Sequence, residues 1–428
     1  MATVPVWVWL PGHDSPLQAG ELTADRAARF TYVPDYLARV DALPLDPVEL
    51  RLVRSSRGIA ISAADGLPGV VRDAMPAGYG ADRLISQAGA DLSPLELLDR
   101  GVPDGVGAIE VCTNIERKLA WSPKSLAQLK LLAEAMDGVA PASRALRRLN
   151  QDLDTSAGGE RPKTTLVHEG RLWLAKMQDR GDRAALPARE FVAMTMARLA
   201  GLDAAAVALH TFSAHQVLLV ERFDRVGDPQ RSQRRLYASA HTVLRLPLIA
   251  MGATKGDPRR SYLNLGDRLR VWARGRADLG EQLRELWRRM AFNALVGNID
   301  DHPLNHGLLQ GGQGQRGWCL SPAFDITPAM TMAPLAPQDG PLLSMATGAD
   351  GSARASLQRL LAATGHFGVD ADAAGEWLRD TAQLVAERWE PMLREAAAPI
   401  MEDAARLDAL IADTRAAFCF CEWLAAQV

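Results

Sequence analysis

The string NALVGNIDDHPLNHGLL, residues 293–309, carries the densest chemistry in the sequence. Gly297 interrupts the helical pattern before it, and Pro303 biases His302 away from helical angles. Asp300, His302 and Asn305 are therefore expected on irregular backbone. Phosphoryl transfer needs a carboxylate to accept the proton of an attacking hydroxyl and an amide oxygen to hold magnesium. Protein kinases place an Asp and an Asn five residues apart for these tasks, and Asp300 and Asn305 have that separation. A hairpin-like stretch, GLLQGGQGQRGWCL, follows and leads into Ser321-Pro322-Ala323-Phe324-Asp325-Ile326. A kinase carries its other magnesium ligand after such a hairpin, which makes Asp325 a candidate. Two other readings stand beside this one. Asx side chains bond their own backbone and often serve only as turn formers. His302 and His306, four apart beside two Asp residues, also suggest a transition-metal site, although Pro303 disrupts the helix such pairs usually need.

Four upstream features add to the pattern. In Thr155-Ser156-Ala157-Gly158-Gly159-Glu160-Arg161-Pro162-Lys163, paired glycines let backbone N–H groups approach phosphate oxygens; the alternative is a plain turn. Leu172-Trp173-Leu174-Ala175-Lys176 ends an apolar strand in a lysine that can reach an α/β-phosphate, and Glu190 on the following helix is placed to pair with it. The alternative is a solvated strand-end Lys and an exposed Glu favoured by the helix dipole. VLLVERFDR runs an apolar strand into polar residues, so Glu221, Arg222 and Phe223 are candidates for a hinge whose backbone holds adenine; the alternative is an edge strand running into a loop. Glycine-rich loop, strand Lys, helix Glu, hinge, Asp-x₄-Asn loop and post-hairpin Asp follow one another in the order a kinase needs.

The elements that must position these residues can be read from periodicity. VPVWVWL alternates as a strand should, and VELRLVRSSRGIAI alternates again. From Leu95 to Met136 the pattern is helical, with Leu126, Leu129 and Leu132 three apart and Pro94 suited to a first turn. Thr165–His168 and Leu172–Lys176 read as strands joined at Glu169-Gly170. ALPAREFVAMTMARLAGL reads as a helix with Phe191, Met194, Leu199 and Leu202 on its apolar stripe and Gly201 at its end. VALHTF and HQVLLVERF read as strands. Leu283, Leu286, Trp287, Met290 and Phe292 form one helical face, and helices fill the stretch from Ala371 onward. A small β-rich part before a larger helical part is the layout of a two-lobed, kinase-like α+β fold.

Composition narrows the classes. With 48% hydrophobic and 23% charged residues, the chain buries a full core and is not a disordered scaffold. Its 48 basic and 51 acidic residues demand neither nucleic acid nor an anionic membrane as a bulk partner. Arg144–Arg148 and Arg231–Arg235 read as solvated faces, with DNA contact the less favoured alternative. No run reaches the ~20 apolar residues of a membrane span, and the first residues lack a secretory pattern. Four irregularly spaced cysteines do not make a disulfide framework, so a reduced, cytoplasmic protein is expected.

The strings SAGGERPK, PAREFVAMTMARLAGL, LLVERFDR, NIDDHPLNHGLL and LSPAFDITPA resemble those of HipA-family serine/threonine kinases, the toxins of bacterial toxin–antitoxin pairs. GELTADRAARFTYVPDYLARVDALPLDP resembles the family's N-terminal domain. The resemblance implies a β-rich N-terminal subdomain over 1–145, a kinase N-lobe over 146–225 and a helical C-lobe over 226–428. It implies ATP and Mg²⁺ as cofactors, Asp300 as catalytic residue, and Asn305 and Asp325 as magnesium ligands. Nucleotide contacts would come from Gly158, Gly159, Glu160, Arg161, Lys163, Lys176, Glu221, Arg222, Phe223, His302, Asn305 and Asp325. Ser156 matches a serine that family members autophosphorylate. Implied partners are a HipB-like helix-turn-helix antitoxin, operator DNA through that antitoxin, and a protein substrate of the aminoacyl-tRNA synthetase class. Leu304 stands where many members carry a basic residue. Two other functions remain open: a small-molecule or lipid phosphotransferase, and a non-catalytic corepressor that only docks an antitoxin.

Overall fold

The computed structural model describes residues 2–24, 28–130, 155–156, 163–177, 185–212, 215–247, 256–311, 317–330, 336–401 and 403–427. The chain forms two compact units. One comprises Met1–Ala175, Arg222–Ile249 and Leu308–Trp318; the other comprises Lys176–Glu221, Ala250–Gly307 and Cys319–Val428.

The first unit is built on an antiparallel five-stranded sheet in the order Ile59–Ala60, Arg29–Tyr32, Leu17–Ala24, Ala2–Val8, Ile109–Val111. Val4, Val6 and Val8 point into the core, as the alternation of VPVWVWL requires. The second alternating run forms a strand only at Ile59–Ala60. Its Leu52 and Val53 are exposed, and with no apolar face to bury, the rest of the run gains nothing from pairing. The stretch expected to be helical from Leu95 is also interrupted. Pro94–Arg100 is a helix, closed by a capping box between Ser93 and Glu96, but strand Ile109–Val111 and helix Ile115–Leu119 follow before the chain turns helical again at Leu126. Leu132 and Met136 lie outside the described residues. Ile109 and Val111 join the sheet because their apolar side chains complete its core beside Val6 and Val8.

A buried ionic cluster braces this unit. Glu110 accepts from Lys118 Nζ at 2.8 Å and from Arg234 at 3.1 Å, and the Arg234 guanidinium lies 3.7 Å from the Trp9 ring centre. Arg222 and Arg225 both bond the Asp224 carboxylate, at 2.8 and 2.6 Å. Burial alone would raise the Asp224 pKa; the two guanidiniums outweigh it and hold the carboxylate well below its usual range. The Arg231–Arg235 stretch is thus only partly the solvated face expected of it. Arg231 is exposed, Arg234 is buried in the cluster, and Arg235 donates to the Gln310 carbonyl at 3.2 Å. Arg144–Arg148 lies outside the described residues.

The second unit is mainly helical. Its strands Val207–Phe212 and His215–Glu221 pair antiparallel, as their alternation implies. Helix Leu186–Leu199 packs on a face different from the one expected: Met194 and Leu202 are buried, Phe191 is half-buried, and Leu199 is 49% exposed. The buried face includes Arg189 and Glu190, so a stripe drawn through the large apolar residues alone misplaces it. Helix Leu279–Leu295 buries Leu283, Leu286, Trp287, Met290 and Phe292 as its periodicity requires. Helices Ala371–Ala397 and Ala404–Ala425 meet where Trp389 stacks on Phe418, ring centres 4.5 Å apart. Among the described residues no helix is long and apolar enough to cross a membrane.

Candidate active site

The helix Leu279–Leu295 delivers the Asp300 loop through a Schellman closure. Gly297 N–H donates to Ala294 O at 3.3 Å and Asn298 N–H donates to Asn293 O at 2.9 Å. Gly297 has φ +60°, and a Cβ there would lie 2.4 Å from the Ala417 carbonyl oxygen, so only glycine can turn the chain here. His302 is extended and Pro303–Asn305 forms a single 3₁₀ turn, as expected from the proline. Asp300 is exposed at the head of this loop. Its carbonyl accepts from His302 N–H at 2.7 Å and from Asn305 Nδ2 at 3.0 Å. The amide nitrogen of Asn305 is thereby engaged, and its Oδ1 is the atom left to act as a ligand.

Asp325 follows a hairpin, as the sequence implies. Strands Gly307–Gln310 and Trp318–Leu320 flank it, and Ser321 N–H donates to Gly307 O at 2.8 Å. Segment 321–325 is fixed from behind. Ala323 N–H donates to Asp203 O at 2.7 Å, Ala205 N–H donates to Ala323 O at 2.9 Å, and buried Arg289 donates to Ser321 O at 2.7 Å. Asp325 itself sits at φ +60°, a left-handed conformation uncommon for residues with a Cβ but adopted by Asp more readily than by most.

Lys176 links Asp325 to helix Leu186–Leu199. Its Nζ lies 2.6 Å from Glu190 Oε1 and 2.6 Å from Asp325 Oδ1. Glu190 is almost fully buried, not the exposed helix-start residue of the alternative reading, while Asp325 keeps 42% of its side chain exposed. Burial alone would push the Lys176 pKa down; Asp325 and Glu190 outweigh that and raise it, so the ammonium stays charged. Four expected site residues, Lys176, Asp300, Asn305 and Asp325, thus fall in one unit together with Glu190. Asn305 and Asp325 offer amide and carboxylate oxygens, the donor types a hard divalent cation takes. Of the histidine pair, His306 is buried edge-on against Tyr262, and burial drives its pKa down to about 3. Among the described residues no three His, Cys, Asp or Glu side chains are grouped to hold a metal. The Nδ1 of His302 is buried without a hydrogen-bond partner among the described residues.

The remaining candidates lie elsewhere. Gly158, Gly159, Glu160 and Arg161 fall outside the described residues; Lys163 is buried at the start of strand Lys163–His168. Glu221 ends its strand, its N–H donating to Ala206 O at 2.9 Å. The Arg222 side chain is committed to Asp224, to Asp104 O at 2.6 Å and to Thr165 Oγ1 at 2.9 Å, and its N–H to Leu172 O at 2.9 Å. The Phe223 ring lies 6.3 Å from that of Tyr237. Ser156 is buried. It is 4% exposed, its hydroxyl donates to Val102 O at 2.5 Å, and its N–H bonds the buried Asp104 carboxylate. Burial raises the Asp104 pKa, and Arg222 together with the Ser156 and Thr155 bonds opposes that rise.

Sequence reasoning missed Asp301, Tyr262, Asn293, Asn298 and Arg289, all buried in the second unit. Asp301 was within view as the second Asp of the pair. Nothing in its spacing says that it points inward while Asp300 points outward.

Residues 155–389 match the HipA-like C-terminal domain family. A Sinorhizobium fredii protein named "Putative kinase Y4mE" is 26% identical over 278 residues, a match that covers 60% of this chain and 64% of that protein, short of two thirds of its length. A solved HipA from Shewanella oneidensis, in complex with HipB and operator DNA, aligns over 98% of this chain and 97% of its own with a TM-score of 0.65 at 18% identity. That likeness shows the expected α+β fold, two-lobed and kinase-like, with a β-rich N-terminal subdomain. With more than half its length matched, and with the Asp300 loop and Asp325 inside the matched span, the chain belongs to the HipA-like family.

Proposed function

We propose that this chain is a Mg·ATP-dependent serine/threonine protein kinase of the HipA type. The observation that carries the reading is the contact of Lys176 with both Glu190 and Asp325, in the same unit as the Asp300–Asn305 loop. Phosphoryl transfer uses a lysine held by a helix Glu, a metal-holding Asp and an Asp-x₄-Asn loop, and residues of all three kinds lie in this one unit. Magnesium, when bound, supplies charge neutralisation on the β- and γ-phosphates. Asp325 and Asn305 would hold it through carboxylate and amide oxygens. Lys176, kept protonated by its two carboxylates, would bind an α/β-phosphate oxygen. Glu190 fixes the lysine's reach from the Leu186–Leu199 helix. Asp300, free of the ion-pair triad, would orient the acceptor hydroxyl and take its proton as the bond from that oxygen to the γ-phosphorus forms and the bond from the γ-phosphorus to the β,γ-bridging oxygen breaks, with ADP as the leaving group.

The division at residues 145 and 225, a cytoplasmic setting and the hinge role of Glu221–Phe223 belong to the same proposal. So do an antitoxin of the HipB kind, operator DNA through it, and an aminoacyl-tRNA synthetase as substrate. Ser156 as an autophosphorylation site requires segment 155–156 to leave its present place. A phosphoryl group there would meet the Asp104 carboxylate, and two anions cannot share a buried site.

Incubating purified protein with γ-labelled ATP and Mg²⁺ in a cell extract tests the reading. Label in protein, lost in Asp300→Asn, is expected. Label confined to lipids or metabolites would favour the other phosphotransferases, and label absent altogether would sink the kinase assignment.

A further inference from the structure

Beneath the exposed loop lies a polar web that the roles above do not use. Asn298 Nδ2 donates to Asn293 Oδ1 at 3.0 Å, and Asn293 Nδ2 donates to Tyr262 Oη at 2.9 Å. The Tyr262 hydroxyl donates to Asp301 Oδ2, and Ser344 N–H donates to Asp301 Oδ1 at 2.7 Å. His306 Nε2 lies 3.4 Å from the same Tyr262 oxygen. Arg260 donates to Ser344 O at 2.7 Å and bonds the Ser344 hydroxyl. Tyr262, Asn293, Asn298, Asp301 and His306 are each at most 5% exposed.

Loop 298–306 is therefore fastened at Asn298, Asp301 and His306. Asp300 and Asn305, one residue from Asp301 and His306 respectively, lie between those fastenings. Apolar residues would fill the same space without the desolvation cost of five buried polar side chains. What the hydrogen bonds add is direction: a satisfied buried network admits one arrangement where an apolar core tolerates several. The web also closes in a second proton arrangement. A protonated Asp301 can donate to Tyr262 Oη while Tyr262 donates to the neutral His306 ring.

We infer that Tyr262 and Asp301 are positioning residues that set the geometry of the Asp300–Asn305 loop from below, without touching substrate. The inference rests on the kinase reading for its effect on rate, but not for its effect on loop order. Three variants separate the roles. Tyr262→Phe and Asp301→Ala are expected to lower kcat on the order of tenfold to a hundredfold, the scale of a misplaced catalytic group, with KM for ATP changed less than about threefold. Asp301→Asn, which copies the protonated carboxyl, should recover most of that loss. Hydrogen–deuterium exchange should quicken in peptides spanning 298–306 and 342–347 of Tyr262→Phe, with helix Ala404–Ala425 unchanged. Uniformly faster exchange across the second unit would mean that the web serves only to hold the fold, and would overturn the inference, as would kcat within twofold of wild type in both Tyr262→Phe and Asp301→Ala. If wild type neither transfers phosphate nor binds Mg·ATP, the kinase reading fails, and the exchange result alone decides whether the web orders the loop.

Discussion

Replacing Asp301 with asparagine should remove one component of the protein's pH-dependent stability. Burial raises the Asp301 carboxyl from 3.8 to about 7, although its bonds to Tyr262 and the Ser344 N–H pull the other way. A folded carboxyl that holds its proton more tightly than the unfolded one contributes most at low pH. That contribution is complete below the unfolded pKa and is lost as the pH climbs toward 7. The difference of about three units, at about 1.4 kcal/mol each, sets a ceiling of about 4 kcal/mol above neutral pH. Between about pH 5 and about pH 8 the loss works out at about 2–3 kcal/mol. The groups facing Asp301 do not change charge in that window. The Tyr262 phenol is pushed far up by burial, burial brings His306 to about 3, and Arg260, though lowered by partial burial, remains a guanidinium. Asparagine keeps the shape and cannot ionise. Urea unfolding of wild type and Asp301→Asn at the two pH values isolates the effect, because other titrating groups, such as Asp46 at about 6, cancel in the difference. The variant should gain about 2–3 kcal/mol on wild type on going from the lower pH to the higher. Parallel profiles would show that Asp301 does not titrate in this range and would refute the reasoning.

Three further outcomes are expected at the site. Asp325→Ala should weaken Mg·ATP binding in calorimetry more than Asn305→Ala, because a carboxylate brings full charge to a hard cation and an amide brings only a dipole. Lys176→Met leaves the Glu190 carboxylate buried without its cation and should cost about 3–5 kcal/mol in denaturant unfolding; adding Glu190→Gln should restore much of it. Ser156 should acquire phosphate slowly on incubation with Mg·ATP, and faster in Asp104→Asn, where the hold on its N–H is weaker. Mass spectrometry showing no modification in an active enzyme would remove Ser156 as a switch.

Much of this protein was legible along the chain because the signals are local. Gly297, Pro303 and the Asp300–Asn305 spacing specify a loop by backbone sterics alone. The alternation of VPVWVWL, VALHTF and HQVLLVERF and the 3.6-residue stripe of Leu283–Phe292 specify elements by which side they bury. The ordered appearance of Lys176, Glu190, Asp300, Asn305 and Asp325 along the chain points to one site, and all five fall in one unit. Local signals misled where partners lie far off in sequence. Helical spacing from Leu95 gave way to strand Ile109–Val111, because that strand completes a sheet begun a hundred residues earlier. Helix Leu186–Leu199 turned two charged residues inward, because the partners of Glu190 and Arg189 come from Lys176 and from Pro328.

The sequence by itself determined where the chain must turn, which stretches form strands and helices around the site, and which residue types could move a phosphoryl group. Only the tertiary structure decided which of two adjacent aspartates faces solvent. It also decided that Ser156 is held by Asp104 and that Tyr262, Asn293 and Asn298 meet beneath the loop. The physical reason is the range of the interactions. Backbone sterics and periodicity act over a few residues and are written in spacing. A buried hydrogen bond or ion pair depends on groups 31, 39 or 52 positions apart, and its free energy exists only once folding has excluded water from both partners.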